Sequence, residues 1–375
     1  MTHRVDVTII GAGVVGLAVA SMVAKGRREV YLLEKNEKFG QEQSSRNSEV
    51  VHAGIYYDRG SLKAKLCLEG NSLLYELCEK NGIACRKCGK IIVATNEMES
   101  RELEKLYLRG RDNGVPLQML SGKEMRQLEP NLKGTAAFFS PTTGIVDSYA
   151  LMNYFLARAG ENGVQVVYKT EVNGIKKQPD GYQISVNDAS GDFSFMTKVL
   201  INCAGLHSDK VAEMTGIDLE EAGYHLHWCK GEYYSVSGGK NKLLNRLIYP
   251  VPTDISVGVH VCFDVDWRLR LGPHFYYVDE ISYKVDDSGK YAFLESSMMK
   301  ALPFIEPSDL APETSGILAM LQGSGEGQRD FVIEHEYKRG LPGFVNLVGI
   351  ESPGLTSSPA IAGHVSRLVD EILGS

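Results

Sequence analysis

The chain lacks several things, and each absence narrows what it does. It has no uninterrupted apolar run of the roughly 18 residues that a bilayer span requires, so no transmembrane segment is expected. It has no excess of basic residues. The formal net charge is −7, whereas a nucleic-acid binder normally presents a basic face, so no nucleic-acid partner is expected. Its seven cysteines are odd in number and scattered. They form no compact disulfide framework, which points to a reducing, cytoplasmic setting and leaves peripheral membrane attachment open. The single Cys-x-x-Cys, Cys85 and Cys88, has no second pair at zinc-ribbon spacing. His225 and His227 would share one strand face but have no third ligand nearby. No metal site is expected. No repeat or low-complexity tract is visible. The Val5–Ala24 stretch lies where a leader would, but its spaced glycines and the framing Arg4 and Asp6 fit a strand, turn and helix better than a signal peptide.

What is present is an ordinary globular composition, 43% apolar and 23% charged, over 375 residues. That length calls for two domains, or one domain with a large insertion. A strand is expected at Val5–Ile10, a helix to about Lys25, and a second strand at Val30–Leu33. Helical spacing marks Leu62–Glu79 and Glu97–Arg111. Ser121-Gly-Lys-Glu124 has the form of a capping box. Ser148 is placed to cap a helix running to about Asn162. Strands follow at Val164–Tyr168, Glu171–Lys177, Tyr182–Asn187 and Val199–Asn202, then β-rich chain from Tyr224 to Tyr283. A helical stretch is expected near Ala292–Ala301. The chain closes with a strand (Phe344–Val348), a turn and a helix (Ser358–Leu373). Nucleotide-type βα units at the start, middle and end, with β-rich chain between, fit two interleaved domains.

Four segments carry chemistry. Gly11-Ala-Gly13-Val-Val15-Gly16 follows a strand and opens an apolar helix. Such a turn brings a pyrophosphate to the free N–H groups of a helix N-terminus. Glu34 follows Gly16 at the spacing that places a carboxylate on a ribose, with Lys35 beside it. Ser44, Ser45, Arg46, Asn47 and Ser48 come next, well suited to line phosphates or a flavin edge. His52 follows, with an ordinary pKa near neutrality that suits a base. Read without other information, a packed histidine is the commoner explanation. The third segment, Val199 to Gly205, runs a buried strand into a small-residue turn. The fourth, Gly349 to Ser358, does the same and offers a helix N-terminus around Gly354, Leu355, Thr356 and Ser357 to an anionic group. Small-residue turns after strands are where open α/β sheets bind ligands. His260 lies in the β-rich part expected to cover the reactive end.

These segments resemble the D-amino-acid-oxidase-like superfamily of flavoproteins, and within it the branch containing L-2-hydroxyglutarate dehydrogenases and oxidases. Ser45-Arg-Asn-Ser48 with His52-Ala-Gly-Ile-Tyr-Tyr57, Thr143 to Asp147, Cys229-Lys-Gly231, Tyr249 to Pro252, Gly258-Val-His260, Leu271-Gly-Pro273 and Ser352 to Ser358 carry the likeness in order across nearly the whole chain. The resemblance implies an α/β fold, a glutathione-reductase-like FAD-binding domain with an interleaved α+β substrate domain on an antiparallel sheet. The boundaries expected are 1–85, 146–222 and 325–375 for the FAD domain, and 86–145 and 223–324 for the substrate domain. It implies FAD, covalent or not, with Val172 on the adenine and Ala204 and Gly205 along the cofactor. It also implies oxidation of a small 2-hydroxy acid to a 2-oxo acid by hydride transfer to flavin N5. His52 is the first choice of base and His260 the second, with Tyr57 and Lys230 as substrate contacts. One position departs from the branch. Leu318 stands where an arginine is usual, and Arg329 or Lys230 would have to replace its grip on a carboxylate. An amino-acid or amine oxidase, or a flavin binder without catalysis, are the alternatives. The electron acceptor, whether oxygen, quinone or a carrier protein, stays open.

Overall fold

A computed structural model describes residues 3–26, 28–252, 257–293 and 296–374. Strand β1 (Arg4–Ile10), helix α1 (Val14–Val23) and strand β2 (Val30–Leu33) form the opening βαβ unit, with β1 and β2 parallel. They form because the apolar residues of β1 and β2 are buried on both faces, as parallel strands require. Six further strands complete an eight-stranded sheet. Gln165–Val167 adds beyond β2. The long Gly191–Asn202 strand pairs in parallel with β1 on one side and with Phe344–Val348 on the other. The sheet is thus assembled from the start, middle and end of the chain. Helix α1 packs between the Ser148–Glu161 helix and the C-terminal Gly354–Leu373 helix.

A four-stranded antiparallel sheet stands apart from it. Its central pair is His227–Val236 and Leu269–Val278, with Leu310–Met320 and His260–Phe263 at the edges. A second four-stranded sheet contains β3 (Lys90–Ala94), paired with Ala136–Ser140 and, in parallel, with Leu247–Pro250. Helix α2 (Leu62–Asn81) is capped by Ser61, whose hydroxyl accepts from the Ala64 amide, and it packs against the C-terminal helix.

Four expectations need adjusting. The residue that caps Ser148–Glu161 is Asp147, accepting from the Ala150 amide at 2.8 Å, while the Ser148 hydroxyl turns to Glu49. The Val199–Asn202 strand starts eight residues earlier, at Gly191, because its first half has an antiparallel partner in Gly181–Asp188. The stretch near Ala292–Ala301 is a 3₁₀ turn (Asp287–Phe293) and a short helix (Ser297–Ala301), with 294–295 outside the described residues. The last helix begins at Gly354, four residues ahead of Ser358. Pro359 lacks the N–H that would bond the Leu355 carbonyl, and the Ser358 hydroxyl donates to that carbonyl instead, at 2.9 Å.

Candidate active site

One cavity of about 640 Å³ runs from the glycine turn after β1 to the antiparallel sheet. Its two ends are built differently.

The first end is made of backbone. Gly11 has φ +100°, and a Cβ there would meet the Cys203 carbonyl oxygen at 2.5 Å. A Cβ on Gly16 would land on the Gly11 carbonyl, so Gly16 serves helix–strand packing and does not line the cavity. Gly13 is the N-cap of α1 and supplies no side-chain cap. Ser44 fills part of that role, its hydroxyl accepting from the Val14 amide at 2.9 Å. The other first-turn amides have no intrahelical acceptor, as at every helix start. Glu34 is buried and accepts from the Ala12 amide at 2.8 Å and the Asn36 amide at 2.9 Å, one on each carboxylate oxygen. Each oxygen keeps lone-pair capacity for another donor. Gly13, Val15, Glu34, Lys35, Ser44, Val172, Ala204 and Gly205 all line this stretch. Lys35 is paired with Glu42 at 2.8 Å.

Between the ends lies the segment after β2. Asn47 folds it, donating to the Ser44 carbonyl at 2.7 Å and accepting from the Glu49 amide at 2.7 Å. Arg46 lines the cavity with its guanidinium 3.9 Å above the Tyr283 ring, and its Nε has no partner among the described residues. Ser48 also lines it, but Ser45 is exposed and bonds the Glu42 carbonyl. From the opposite side come Gly354 and Leu355 at the start of the C-terminal helix. Thr356 sits behind them, accepting from the His52 amide at 3.0 Å, and the buried Ser357 hydroxyl has no partner among the described residues. Glu351 lines the cavity with its charge met by Lys63, both side chains buried.

The second end is made of side chains distant in sequence: His52, Tyr56, Tyr57, Tyr233, Tyr249, His260, Leu318 and Ser352. His52 Nε2 lies 3.3 Å from the Ser352 hydroxyl, and its buried Nδ1 has no partner among the described residues. His260 Nδ1 is 2.7 Å from the Gly258 carbonyl. A carbonyl only accepts, so Nδ1 carries the proton and the unpartnered Nε2 is a bare lone pair. The His260 ring stacks on Tyr249 at 3.8 Å. Burial holds both imidazoles down to about 3, helped at His52 by Lys90 and His260, and opposed at His260 by the Gly258 hydrogen bond. Both rings are neutral at physiological pH.

Two candidates from the sequence are elsewhere. Lys230 does not line the cavity; its ammonium bonds the Lys284 carbonyl and Glu232. Arg329 is spent on the carbonyls of Leu321 (3.0 Å) and Gly223 (2.8 Å). Neither replaces an arginine at Leu318, which faces the cavity. The sequence does not single out Tyr233 or Lys90, and it shows Tyr56 and Tyr249 only as members of quoted segments without a role. Lys90 stands in a strand whose five residues are all buried, and a lysine inside such an apolar run was the available signal.

No group of three or more metal-ligating side chains occurs among the described residues, and Cys85, Cys88 and the other cysteines are free. His225 and His227 pack ring against ring at 5.2 Å. No described helix is long and apolar enough to cross a membrane.

A βαβ unit with a glycine turn, a buried carboxylate just after its second strand and a cavity reaching an antiparallel sheet is the arrangement of a dinucleotide-binding protein. The chain belongs to the FAD dependent oxidoreductase family, whose profile matches residues 6–368. FAD is therefore its cofactor, and the donors fit it: free helix amides where a pyrophosphate approaches, and a carboxylate with spare acceptor capacity. The mitochondrial L-2-hydroxyglutarate dehydrogenase of Arabidopsis thaliana is 37% identical, over 97% of this chain and 83% of its own. A glycerol 3-phosphate dehydrogenase of Caloramator mitchellensis is 32% identical, over 98% and 74%. The dithionite-reduced L-alpha-glycerophosphate oxidase of Mycoplasma pneumoniae, solved with FAD bound, superposes with a TM-score of 0.87 at 30% identity, covering 98% of this chain and 95% of that one.

Proposed function

We propose that the chain oxidises a small 2-hydroxy acid to the 2-oxo acid. The observation that carries this is the pair of neutral, buried imidazoles with unpartnered ring nitrogens at the end of the cavity that begins on the glycine turn. The L-2-hydroxyglutarate dehydrogenases among its relatives support the substrate class. In this reading Gly11, Gly13, Val15 and Ser44 hold the pyrophosphate region, Glu34 the ribose, and Val172, Ala204 and Gly205 the length of the cofactor. Gly354 and Leu355 present the C-terminal helix to its ring. Bound there, FAD would supply the two-electron acceptor for the hydride from C2.

The protein supplies the rest. His52 takes the hydroxyl proton on Nδ1 in the tautomer whose Nε2–H points to Ser352. His260, its Nε2 lone pair fixed by the Gly258 carbonyl, is a second acceptor that competes with His52 for that single proton. That fixed tautomer also makes His260 the alternative base. Residues 1–85, 146–222 and 325–375 then act as the cofactor domain, and 86–145 with 223–324 as the substrate domain. The eight-stranded sheet draws only on the first set and the antiparallel sheet only on the second.

A second reading has a specific basis. The Caloramator and Mycoplasma relatives are named for glycerol 3-phosphate, also an anionic secondary alcohol. Product analysis tests both. Purified holoenzyme is given 2-hydroxy acids, glycerol 3-phosphate and amino acids, and the products are identified. A 2-oxo acid supports the first reading and dihydroxyacetone phosphate the second. Ammonia would overturn both.

A further inference from the structure

Either reading gives the substrate an anionic group, and no cation is among the described side chains named at the reactive end; Arg46, which lines the cavity between the ends, has its guanidinium on the Tyr283 ring. Both histidines there are neutral, Leu318 is apolar, and Lys230 and Arg329 are engaged elsewhere. A buried cation without a carboxylate partner among the described residues stands one layer back. Lys90, on β3, is 1% exposed. Its Nζ donates to the Tyr56 hydroxyl at 3.2 Å and lies 4.6 Å from the Tyr56 ring centre and 4.2 Å from that of Tyr249. No carboxylate pairs with it among the described residues. An ammonium buried without a counter-ion is costly, and two aromatic faces repay only part of that. The arrangement is completed when an anion arrives.

The phenol shows where. An ammonium has only donors, so Tyr56 Oη must accept from Lys90. Its own proton has no acceptor among the described residues, and Tyr56 lines the cavity. We propose that Lys90 and Tyr56 form the anion grip of this site: the buried ammonium holds the Tyr56 phenol as its acceptor, so that the phenol donates its proton to the carboxylate of a 2-hydroxy acid or the phosphate of a glycerol phosphate. Tyr56 touches the substrate, and Lys90 is a positioning residue that also lends its charge. This rests on the anionic-alcohol reading above and names the part of the site that reads the anion.

The grip is pH-dependent. Burial brings the Lys90 ammonium down to about 7. The groups facing it are Tyr56 and His52 from the segment before α2, Cys67 from α2, Tyr249 from the Leu247–Pro250 strand, and His260 and Cys262 from the edge strand. Burial keeps the thiols and phenols protonated and the imidazoles neutral. Lys90 is therefore the group of this set that titrates near neutrality. Above that pH a neutral amine accepts from the phenol and withdraws its proton from the cavity.

The test titrates oxidised holoenzyme with pyruvate, inorganic phosphate and, as a neutral control, acetamide, following the flavin spectrum. Pyruvate should bind with an affinity that falls as pH rises through about 7, and calorimetry in two buffers should show proton uptake on binding. Tyr56→Phe and Lys90→Met should each weaken pyruvate roughly 10- to 100-fold, leave acetamide unchanged, and combine with little further loss. Lys90→Met should also abolish the pH dependence. Pyruvate affinity in wild type that is flat from pH 6 to 9 without proton uptake, or full affinity in either variant, overturns the proposal. If Lys90→Met does not fold, the wild-type titration and Tyr56→Phe decide. Phosphate binding in place of pyruvate assigns the grip to the phosphate source, with its pH series and variants replacing those of pyruvate. Neither anion binding overturns it. If pyruvate binds as stated but no 2-hydroxy acid reduces the flavin, the grip stands and the oxidation reading fails.

Discussion

The two ends of the cavity solve different problems with different materials. The glycine-turn end binds with backbone: helix amides, a turn closed to any side chain, and one carboxylate steadied by two amides. The sheet end works with side chains: two imidazoles, four tyrosines and a lysine, from residues 52 to 260. Backbone geometry tolerates few substitutions but needs only a short stretch of chain. Side-chain constellations can be exchanged one residue at a time. The first end should therefore fail completely when broken, and the second should fail by degrees.

The largest effect is expected at Gly13. A Cβ there already meets the Ser44 hydroxyl at 2.9 Å, so Gly13→Leu should yield folded protein without flavin, seen as lost visible absorbance with an unchanged far-UV spectrum. Retained FAD would remove the distinction between the ends. Next comes His52→Ala, which should keep FAD and slow its reduction by substrate about 10²- to 10⁴-fold in stopped-flow traces. If His260→Ala costs more than His52→Ala, the two imidazoles exchange roles. Glu34→Ala should weaken FAD roughly 10- to 100-fold, since the Ala12 and Asn36 amides lose their acceptor along with the ribose; equilibrium dialysis measures it. Leu318→Arg should shift kcat/KM toward dicarboxylates by roughly tenfold, the worth of one charge-assisted pair. No shift would mean that this wall does not face the substrate's tail.

The smallest effect is a null one. A base held down to about 3 by burial is already deprotonated at neutral pH and protonates only on strong acidification. The limiting rate of flavin reduction at saturating substrate should thus stay flat from about pH 5 to 8, while substrate affinity changes. An acid limb in that rate near pH 6.5 would show that the His52 pKa is not depressed.

The same contrast explains what the sequence disclosed. The βαβ unit is local: glycines, apolar helix and Glu34 lie within residues 5–34, so spacing alone identifies it. The interleaving of the sheets was legible because βα units recur along the chain. The reactive end was only half legible. His52 and His260 stood out because histidine is chemically conspicuous. Lys230, inside Cys229-Lys-Gly231, and Arg329 are conspicuous in sequence for their charge, but their carbonyl partners, Lys284, Leu321 and Gly223, cannot be foreseen from it. Lys90 is silent in the sequence because Lys90–Ala94 reads as a plain buried strand, and only the fold brings Tyr56 and Tyr249 to it. The start of the last helix at Gly354 was hidden by Pro359, whose missing donor is offset by Ser358.

The central claim is that both ends serve one reaction, oxidation of a 2-hydroxy acid at the FAD held by the first. Anaerobic mixing of holoenzyme with a panel of mono- and dicarboxylic 2-hydroxy acids tests it most directly. The account predicts that at least one of them bleaches the flavin in a single turnover, with one 2-oxo acid formed per FAD. If the flavin stays oxidised with every hydroxy acid and is bleached by an amino acid with release of ammonia, the account is contradicted.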